Sequence, residues 1–134
     1  MDEREFQRRT KLLALEAIAL VELLPPGRAA DVIGRQVLRS ATSVGANYRA
    51  SCRARSMQEI VAKLSIVEEE SDETGYWLEL LMEGGFAPSE RVRGIIAEGR
   101  EILAMTVASK KTLKSRINAK GFADGTSAGS RAEL

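Results

Sequence analysis

Residues 34 to 56 read GRQVLRSATSVGANYRASCRARS, and this stretch decides the fold. Its apolar residues recur at helical intervals, at Val37, Val44 and Tyr48. The positions between them hold small residues, which are Ser40, Ala41, Ser43, Gly45 and Ala46. Because glycine and serine cost up to about 1 kcal/mol each relative to alanine in a helix interior, packing rather than propensity must hold this helix. The stretch therefore predicts a slender helix in the middle of an all-α bundle.

The pattern on either side of this helix predicts three more. The four helices are expected at about residues 3–24, 29–54, 57–83 and 89–117. Ser56, with Glu59 three residues later, forms a capping box that starts the third helix. Long helices joined by short turns lie antiparallel to their neighbours, so residues 1–118 should form an antiparallel up-down-up-down four-helix bundle. Residues 119–134 are small and polar, and we expect them to form a disordered C-terminal tail.

The first helix carries more apolar surface than one face can hold. Phe6, Leu13 and Leu20 fall on the repeat that faces a bundle core, while Leu12 and Leu15 lie elsewhere on the circumference. A helix that is apolar nearly all round needs burial on more than one side. Two interpretations stay open: a subunit interface in an oligomeric ring, or a helix that lies deep in its own domain.

The composition excludes several kinds of enzyme chemistry. The 134 residues contain no histidine, which removes Ser-His and Cys-His nucleophile pairs, imidazole metal ligands and the usual general base. We therefore predict a non-enzymatic protein with no catalytic residue, cofactor or metal site. The single cysteine, Cys52, fits a reducing compartment, and no apolar run reaches the length of about 20 residues that spans a membrane. We expect a cytoplasmic protein without a membrane partner.

The net charge of +1 hides an alternation of charge along the chain. Residues 28–63 carry seven basic and two acidic side chains, whereas residues 64–87 carry seven acidic and no basic ones. Basic side chains gather near the ends of the second and fourth helices, at Arg49, Arg53, Arg55, Lys110, Lys111, Lys114 and Arg116. In an antiparallel bundle these two ends meet at one pole, where guanidinium and ammonium groups can bind phosphates. The pattern predicts binding of RNA or DNA through a basic surface.

Two other interpretations of the basic side chains on the second and fourth helices stay open. Acids on the third helix lie in the same axial range as the arginines of the second and can neutralise them within the bundle. We expect Arg39 to pair in this way, with Glu69, Glu70 or Glu73 as its partner. For the three arginines at the end of the second helix, pairing and phosphate binding are equally open. Cations at the end of the fourth helix can simply offset the helix dipole.

Arg39 and the acids Glu69, Glu70 and Glu73 form a polar cluster with a predicted structural role, and Ser43 and Asn47 belong to it as well. These last two residues are spaced four residues apart on the small face of the second helix. Polar groups need hydrogen-bond partners when they are buried. We therefore expect a hydrogen bond from this pair to another helix, or a contact that fixes the register between subunits.

Two segments of the chain resemble a known family. On the second helix the matching residues are Arg39, Ser40, Ala41, Ser43, Ala46 and Asn47, and on the third they are Lys63, Leu64, Glu69, Glu73, Tyr76, Trp77 and Leu78. Their order and spacing are similar to those of the four helix bundle protein family, also known as the 23S rRNA intervening sequence protein family. The resemblance extends from Phe6 to about Ile117. Many members have an acidic residue and a glycine where this chain has Arg49, Ala50 and Ser51, a departure that makes the surface more basic.

The resemblance implies a fold and a set of partners, but no enzymatic activity or cofactor. Members of the family assemble into rings, commonly pentamers, so the resemblance implies a homo-oligomer. More distantly, the chain resembles the accessory variability protein of diversity-generating retroelements, a pentameric bundle that binds a reverse transcriptase and RNA. RNA and a protein such as a reverse transcriptase are therefore the implied partners. A scaffold for protein partners with no nucleic-acid role is the alternative function.

Overall fold

The computed structural model describes the backbone of residues 2–124 and the side chains of residues 2–120. The helices it contains are α1 (Glu3–Glu22), α2 (Arg28–Cys52), α3 (Met57–Glu83) and α4 (Ser89–Asp124). No strand occurs within the described residues, so the prediction of an all-α fold with four helices is confirmed. No helix in this part of the chain is both long and apolar enough to cross a membrane.

Local hydrogen bonds explain where the helices begin and end. The side chain of Asp2 accepts a hydrogen bond from the Glu5 amide at 2.8 Å and caps α1. The Ser56 hydroxyl accepts one from the Glu59 amide at 3.1 Å, while the Glu59 carboxylate accepts one from the Arg55 amide at 3.3 Å. The Ser56 cap starts α3 as predicted, whereas the Glu59 carboxylate accepts from the amide one residue before Ser56, so the predicted capping box forms only in part. At the other end of α3, the chain leaves the helix through Gly85, whose φ of 76° suits glycine.

The fourth helix is longer than its sequence pattern predicts. It continues to Asp124 instead of ending near Ile117, so residues 119–124 are helical where a disordered tail was expected. No proline interrupts the chain after Ile117, and the buried Ile117 side chain ties this part of α4 to the core, so Asn118 and Gly121 do not end the helix. The rest of the predicted tail, residues 125–134, lies outside the described residues.

One apolar core joins the four described helices. Among residues 2–124, α2 contacts α1 and α3, and α4 contacts α3 and α1, so the helices enclose the core in a closed order. The largest fully buried side chains come from all four helices, and are Leu13, Leu20, Val37, Val44, Val67, Leu78, Leu81, Val92, Ile95 and Ile102. A residue of this kind stabilises the fold by about 1.5–3 kcal/mol through burial of its apolar surface.

Small residues on α2 let α1 approach closely. A Cβ atom added to Gly45 would lie 3.5 Å from the backbone of Thr10, and one added to Gly34 would lie 3.0 Å from Leu24 Cδ1. Ser40, Ala41 and Ser51 are also buried on this helix. The slender central helix is thus held by contacts with its neighbours rather than by its own propensity.

Part of the apolar surface of α1 faces solvent in the single subunit. Leu12 is 41% exposed and Leu15 54%, whereas Leu13 and Leu20 on the core face are buried. The interpretation of α1 as a helix that lies deep within its own domain is therefore wrong. Large exposed leucines on one helix indicate a surface that another molecule can cover.

Two glycines in helix interiors should respond oppositely to substitution. Gly94→Ala should stabilise the protein by about 0.5–1 kcal/mol, because a Cβ at this position meets no atom within 4 Å and alanine is the better helix former. Gly34→Val should destabilise it by about 1–3 kcal/mol, because the added methyl groups overlap Leu24 and Val21. Urea unfolding followed by circular dichroism at a fixed protein concentration measures both changes. Stabilisation by Gly34→Val would contradict the close contact of α1 and α2.

Candidate functional site

An arginine on α2 joins two carboxylates on α3. Arg39 Nη1 donates to Glu70 Oε2 at 2.9 Å, and Arg39 Nη2 donates to Glu73. Arg39 Nε donates to Gln36 Oε1 at 2.9 Å, so all three nitrogens of the guanidinium group are used. Glu73 also accepts a hydrogen bond from Trp77 Nε1 at 3.1 Å. Two of the three predicted acids thus meet Arg39, while Glu69 is exposed and forms no ion pair within the described residues.

The cations at the end of α4 divide into one that is paired and three that are not. Lys110 donates to Glu68 at 2.9 Å, and only 16% of its side chain is exposed. Lys111, Lys114 and Arg116 are exposed and form no ion pair with any residue between 2 and 120. Their charges are therefore available to an external anion, whereas that of Lys110 is already neutralised.

The cations at the end of α2 lie on two different surfaces of the protein. Arg53 and Arg55 are exposed and have no ion-pair partner in the part of the chain that the structure describes. Arg49 instead lines a groove of about 690 Å³ between α1 and α2. The groove brings together residues that are far apart in sequence, which are Arg4, Arg8, Lys11, Leu12 and Leu15 of α1 with Thr42, Gly45, Ala46 and Arg49 of α2.

Sequence reasoning missed the cations that α1 contributes to this α1–α2 groove. Arg4, Arg8 and Lys11 follow each other at spacings of four and three residues, which is the signature of one helix face. That signal was present but obscured by the nearby acids Asp2, Glu3 and Glu5, which nearly balance the positive charge of the segment. Arg8 pairs with Glu5, whereas Arg4 and Lys11 have no ion-pair partner among the described residues.

Asn47 and Ser43 do not make the predicted cross-helix hydrogen bond. Asn47 Nδ2 donates to Ser43 O and to Ser43 Oγ, both at 2.9 Å, so both acceptors lie on α2 itself. The spacing of four residues explains this outcome, because it brings the amide directly over the preceding turn of the same helix. Among the described residues the recorded hydrogen bonds of this pair stay within α2, and none of them joins α2 to another helix.

Tyr48 is engaged in the core and not free to stack on a nucleobase. Its ring stacks on Phe6 with a centroid distance of 4.2 Å and an interplanar angle of 12°. Burial raises the pKa of the Tyr48 phenol far above its ordinary value, and the nearby Cys52 raises it further. The Cys52 sulfur in turn accepts a hydrogen bond from Gln7 Nε2 at 3.5 Å. The Tyr48 side chain therefore acts as a neutral packing group that joins α1 to α2.

A smaller notch of about 150 Å³ lies between α3 and α4. The buried Ser71 hydroxyl lines it and has no hydrogen-bond partner among the described residues. Gly75 and Gly99 line it as well, and an added Cβ on either would meet no atom within 4 Å. Elsewhere among these residues, no group of three or more cysteine, aspartate or glutamate side chains is arranged to hold a metal ion.

The described fold and surface define a small all-α protein with cationic helix ends and an exposed apolar α1. The chain belongs to the 23S rRNA-intervening sequence protein family, whose model matches residues 3–108. A solved structure is similar as well: a protein of unknown function from the S23 ribosomal protein family of Bacteroides thetaiotaomicron VPI-5482. It is 31% identical, with a TM-score of 0.77 over 83% of this chain and 99% of the other. No curated protein sequence matches the chain.

The ion pairs of Arg39 with Glu70 and Glu73, which we call the Arg39 cluster, should contribute more to the free energy of unfolding than an exposed ion pair on the same helix. Arg39→Gln leaves the carboxylate of Glu70, whose side chain is only 15% exposed, without its cation, and we expect a loss of about 1 kcal/mol. Arg35→Gln is the matched control, because Arg35 and Asp31 are 76% and 60% exposed, and it should cost less than about 0.5 kcal/mol. Urea unfolding measures both. Equal losses in the two variants would show that the cluster has no special role.

Proposed function

We propose that the protein is a non-enzymatic subunit of a homo-oligomeric ring, whose cationic pole binds RNA. The observation that carries the proposal is a set of exposed cations without ion-pair partners among the described residues. These are Arg53, Arg55, Lys111, Lys114 and Arg116. Lys110 is excluded from the set because Glu68 neutralises it, and Arg49 because it lines the α1–α2 groove.

The proposal includes an antiparallel up-down-up-down order of the helices. Contacts between side chains support that order. Lys110 pairs with Glu68 and Arg100 with Glu79, so later residues of α4 contact earlier residues of α3. By the same rule the part of α4 that follows Lys110 runs beside the start of α3, close to the end of α2. The two groups of cations then share one pole.

The chemistry of this pole fits the phosphate backbone better than the bases. Guanidinium and ammonium groups bind phosphates and release counterions, which gives affinity without reading sequence. Sequence-tolerant binding of single strands usually adds aromatic platforms, but Tyr48 is stacked on Phe6 and its ring is not available. We therefore propose binding to RNA, with DNA as a weaker competitor, and little dependence on sequence.

A ring multiplies the charge that one subunit offers. The net charge of a subunit is only +1, yet the proposed pole carries five unpaired cations among the described residues. Copies of that pole around a common axis would form one cationic rim with a strong field. The exposed leucines of α1 support the assembly, because they supply apolar surface for a subunit interface. A pentamer in the cytoplasm is the form we propose.

A protein scaffold is the second candidate function, with no nucleic-acid role. The α1–α2 groove favours it, because two leucines beside cations fit a protein surface with acidic and apolar side chains, and a protein such as a reverse transcriptase is the partner that this alternative proposes. Purification distinguishes the two candidates. RNA that co-purifies and is removed by salt supports the first, whereas a nucleic-acid-free ring that retains one defined polypeptide supports the second.

RNA binding should depend on salt and on the cations of the pole. We expect wild-type protein to bind a fluorescein-labelled single-stranded RNA of mixed sequence, with an affinity that falls steeply between about 50 and 200 mM salt. Substitution of Arg53, Arg55, Lys111 and Lys114 by glutamine should lower the slope of log affinity against log salt by about 3, since each phosphate contact contributes about 0.7. Fluorescence anisotropy measures affinity and slope.

The control for RNA binding is Arg91→Gln with Arg93→Gln, two exposed cations at the start of α4. It should change the slope little, because we propose that this end of α4 lies at the opposite pole. No binding by the wild-type protein at low salt would overturn the RNA proposal. An equal loss in the control would show that the cations act through net charge alone.

The ring should depend on the apolar face of α1. Leu15→Glu introduces a charge at a side chain that is 54% exposed, so it should leave the fold intact and break subunit contacts. Light scattering should show a fall from the mass of the assembly towards the 14.6 kDa of one subunit. Ala97→Glu on the exposed face of α4 is the control and should leave the mass unchanged. A monomeric wild-type protein would contradict the ring.

A further inference from the structure

The α1–α2 groove offers positive charge that its own subunit does not neutralise. Arg4, Lys11 and Arg49 are exposed and have no ion-pair partner among the described residues. Leu12 and Leu15 lie beside them and are 41% and 54% exposed. Cations around exposed leucines require a partner surface that supplies both carboxylates and an apolar group.

The outer face of α3 supplies these groups in the same chain. Glu69, Asp72, Tyr76 and Glu83 are all exposed, and their spacings of three, four and seven residues keep them on one face. We call this set the α3 acidic stripe. None of its three carboxylates forms an ion pair with a described residue. The stripe thus carries negative charge that no described cation of the same subunit neutralises.

The neighbouring acids on α3 are already engaged, which sets the stripe apart. Glu70 and Glu73 bind Arg39 on the side of α2. Glu68 binds Lys110 on the side of α4, and Glu79 lies 3.9 Å from Arg100 there. The acids that face the neighbouring helices are therefore neutralised within the subunit, and those that face outward are not.

Tyr76 provides the apolar part of the stripe in a fixed orientation. Its side chain is 55% exposed. The ring packs edge-on against Trp77, with a centroid distance of 5.1 Å and an interplanar angle of 69°. Because the Trp77 indole is itself held by a hydrogen bond to Glu73, the tyrosine has a rigid support. Exposed tyrosines with such support are favoured as anchors of protein interfaces.

The two surfaces also match in length. Seven residues separate Arg4 from Lys11 and Glu69 from Tyr76, about 10 Å along each helix, so when Glu69 faces Arg4, Tyr76 can lie beside Lys11 and the adjacent Leu12. We propose that the α1–α2 groove of one subunit receives the α3 acidic stripe of a second copy of this chain. This inference rests on the oligomer proposed above and names the second half of its interface.

The pairing has a consequence for the form of the assembly. The groove and the stripe are different surfaces of one subunit, so the contact is heterologous. Such contacts leave one groove and one stripe unsatisfied at the ends of any open chain. Closure into a ring satisfies all of them.

The test reverses charge on each surface separately and then on both together. The groove variant carries Lys11→Glu and Arg49→Glu, and the stripe variant carries Glu69→Lys and Asp72→Lys. Like charges then face each other, and we expect the dissociation constant between subunits to rise about tenfold or more in each variant. Light scattering over a dilution series measures it, and circular dichroism checks the helix content.

The variant with all four substitutions provides the rescue. Its charges are complementary again, so it should recover the mass of the wild-type assembly, which a loss of folding would not allow. Arg91→Glu with Arg93→Glu is the matched control and should leave the mass unchanged. The pairing is overturned if either surface variant assembles like the wild-type protein, or if the fourfold variant does not recover.

The outcomes separate this inference from the proposals it builds on. A monomeric wild-type protein would overturn the ring, while an assembled wild-type protein with unaffected variants would overturn only this pairing. If the groove variant keeps its mass but loses affinity for the labelled RNA, the groove is part of the RNA-binding surface and the pairing is wrong. Salt should weaken the wild-type assembly as well, since exposed ion pairs are screened.

Discussion

The close approach of α1 to α2 is the constraint on which the described structure depends. Gly34 lies against Val21 and Leu24, where an added Cβ would be only 3.0 Å from Leu24 Cδ1, and Gly45 faces the backbone of Thr10, where an added Cβ would make an ordinary contact at 3.5 Å. Residues of this size contribute little helix propensity and little apolar area of their own. These small residues stabilise the fold by letting α1 and α2 come close enough for other side chains to pack between the two helices, as Phe6 and Tyr48 do. The hydrophobic core is therefore organised by the helix that contributes least bulk to it.

Charge on this molecule follows a division between inner and outer helix faces. Carboxylates that face a neighbouring helix form ion pairs with its cations, as Glu70 does with Arg39 and Glu68 with Lys110. Several charges on the outer faces, such as Glu69, Asp72 and Lys114, have no ion-pair partner among the described residues, and those that do, such as Arg35 with Asp31, pair within one helix. Since partly buried pairs are screened less by salt than exposed charges, the pairs between helices contribute more to holding the bundle together than the exposed pairs do. The near-neutral total charge conceals this division.

The sequence predicted the helices, the Ser56 cap of α3 and the family, because these depend on local periodicity and on residues close in the chain. It did not predict the α1–α2 groove, since Arg4 and Arg49 meet only through the packing of two helices. The hydrogen bond of Asn47 was expected to reach another helix, and it stays on α2 because the preceding turn is nearer. The end of α4 was placed too early, because the helix continues past the buried Ile117 into residues that are mostly small or polar.

The single tryptophan of the chain has one further consequence. Trp77 donates its indole hydrogen to Glu73, the same carboxylate that receives Arg39 from α2. Its ring also touches Tyr76, which faces solvent. The indole thus lies between an internal ion-pair network and the outer surface of α3. Its intrinsic emission is a built-in optical reporter that responds to the docking of α2 from one side and to whatever approaches Tyr76 from the other, without any added label.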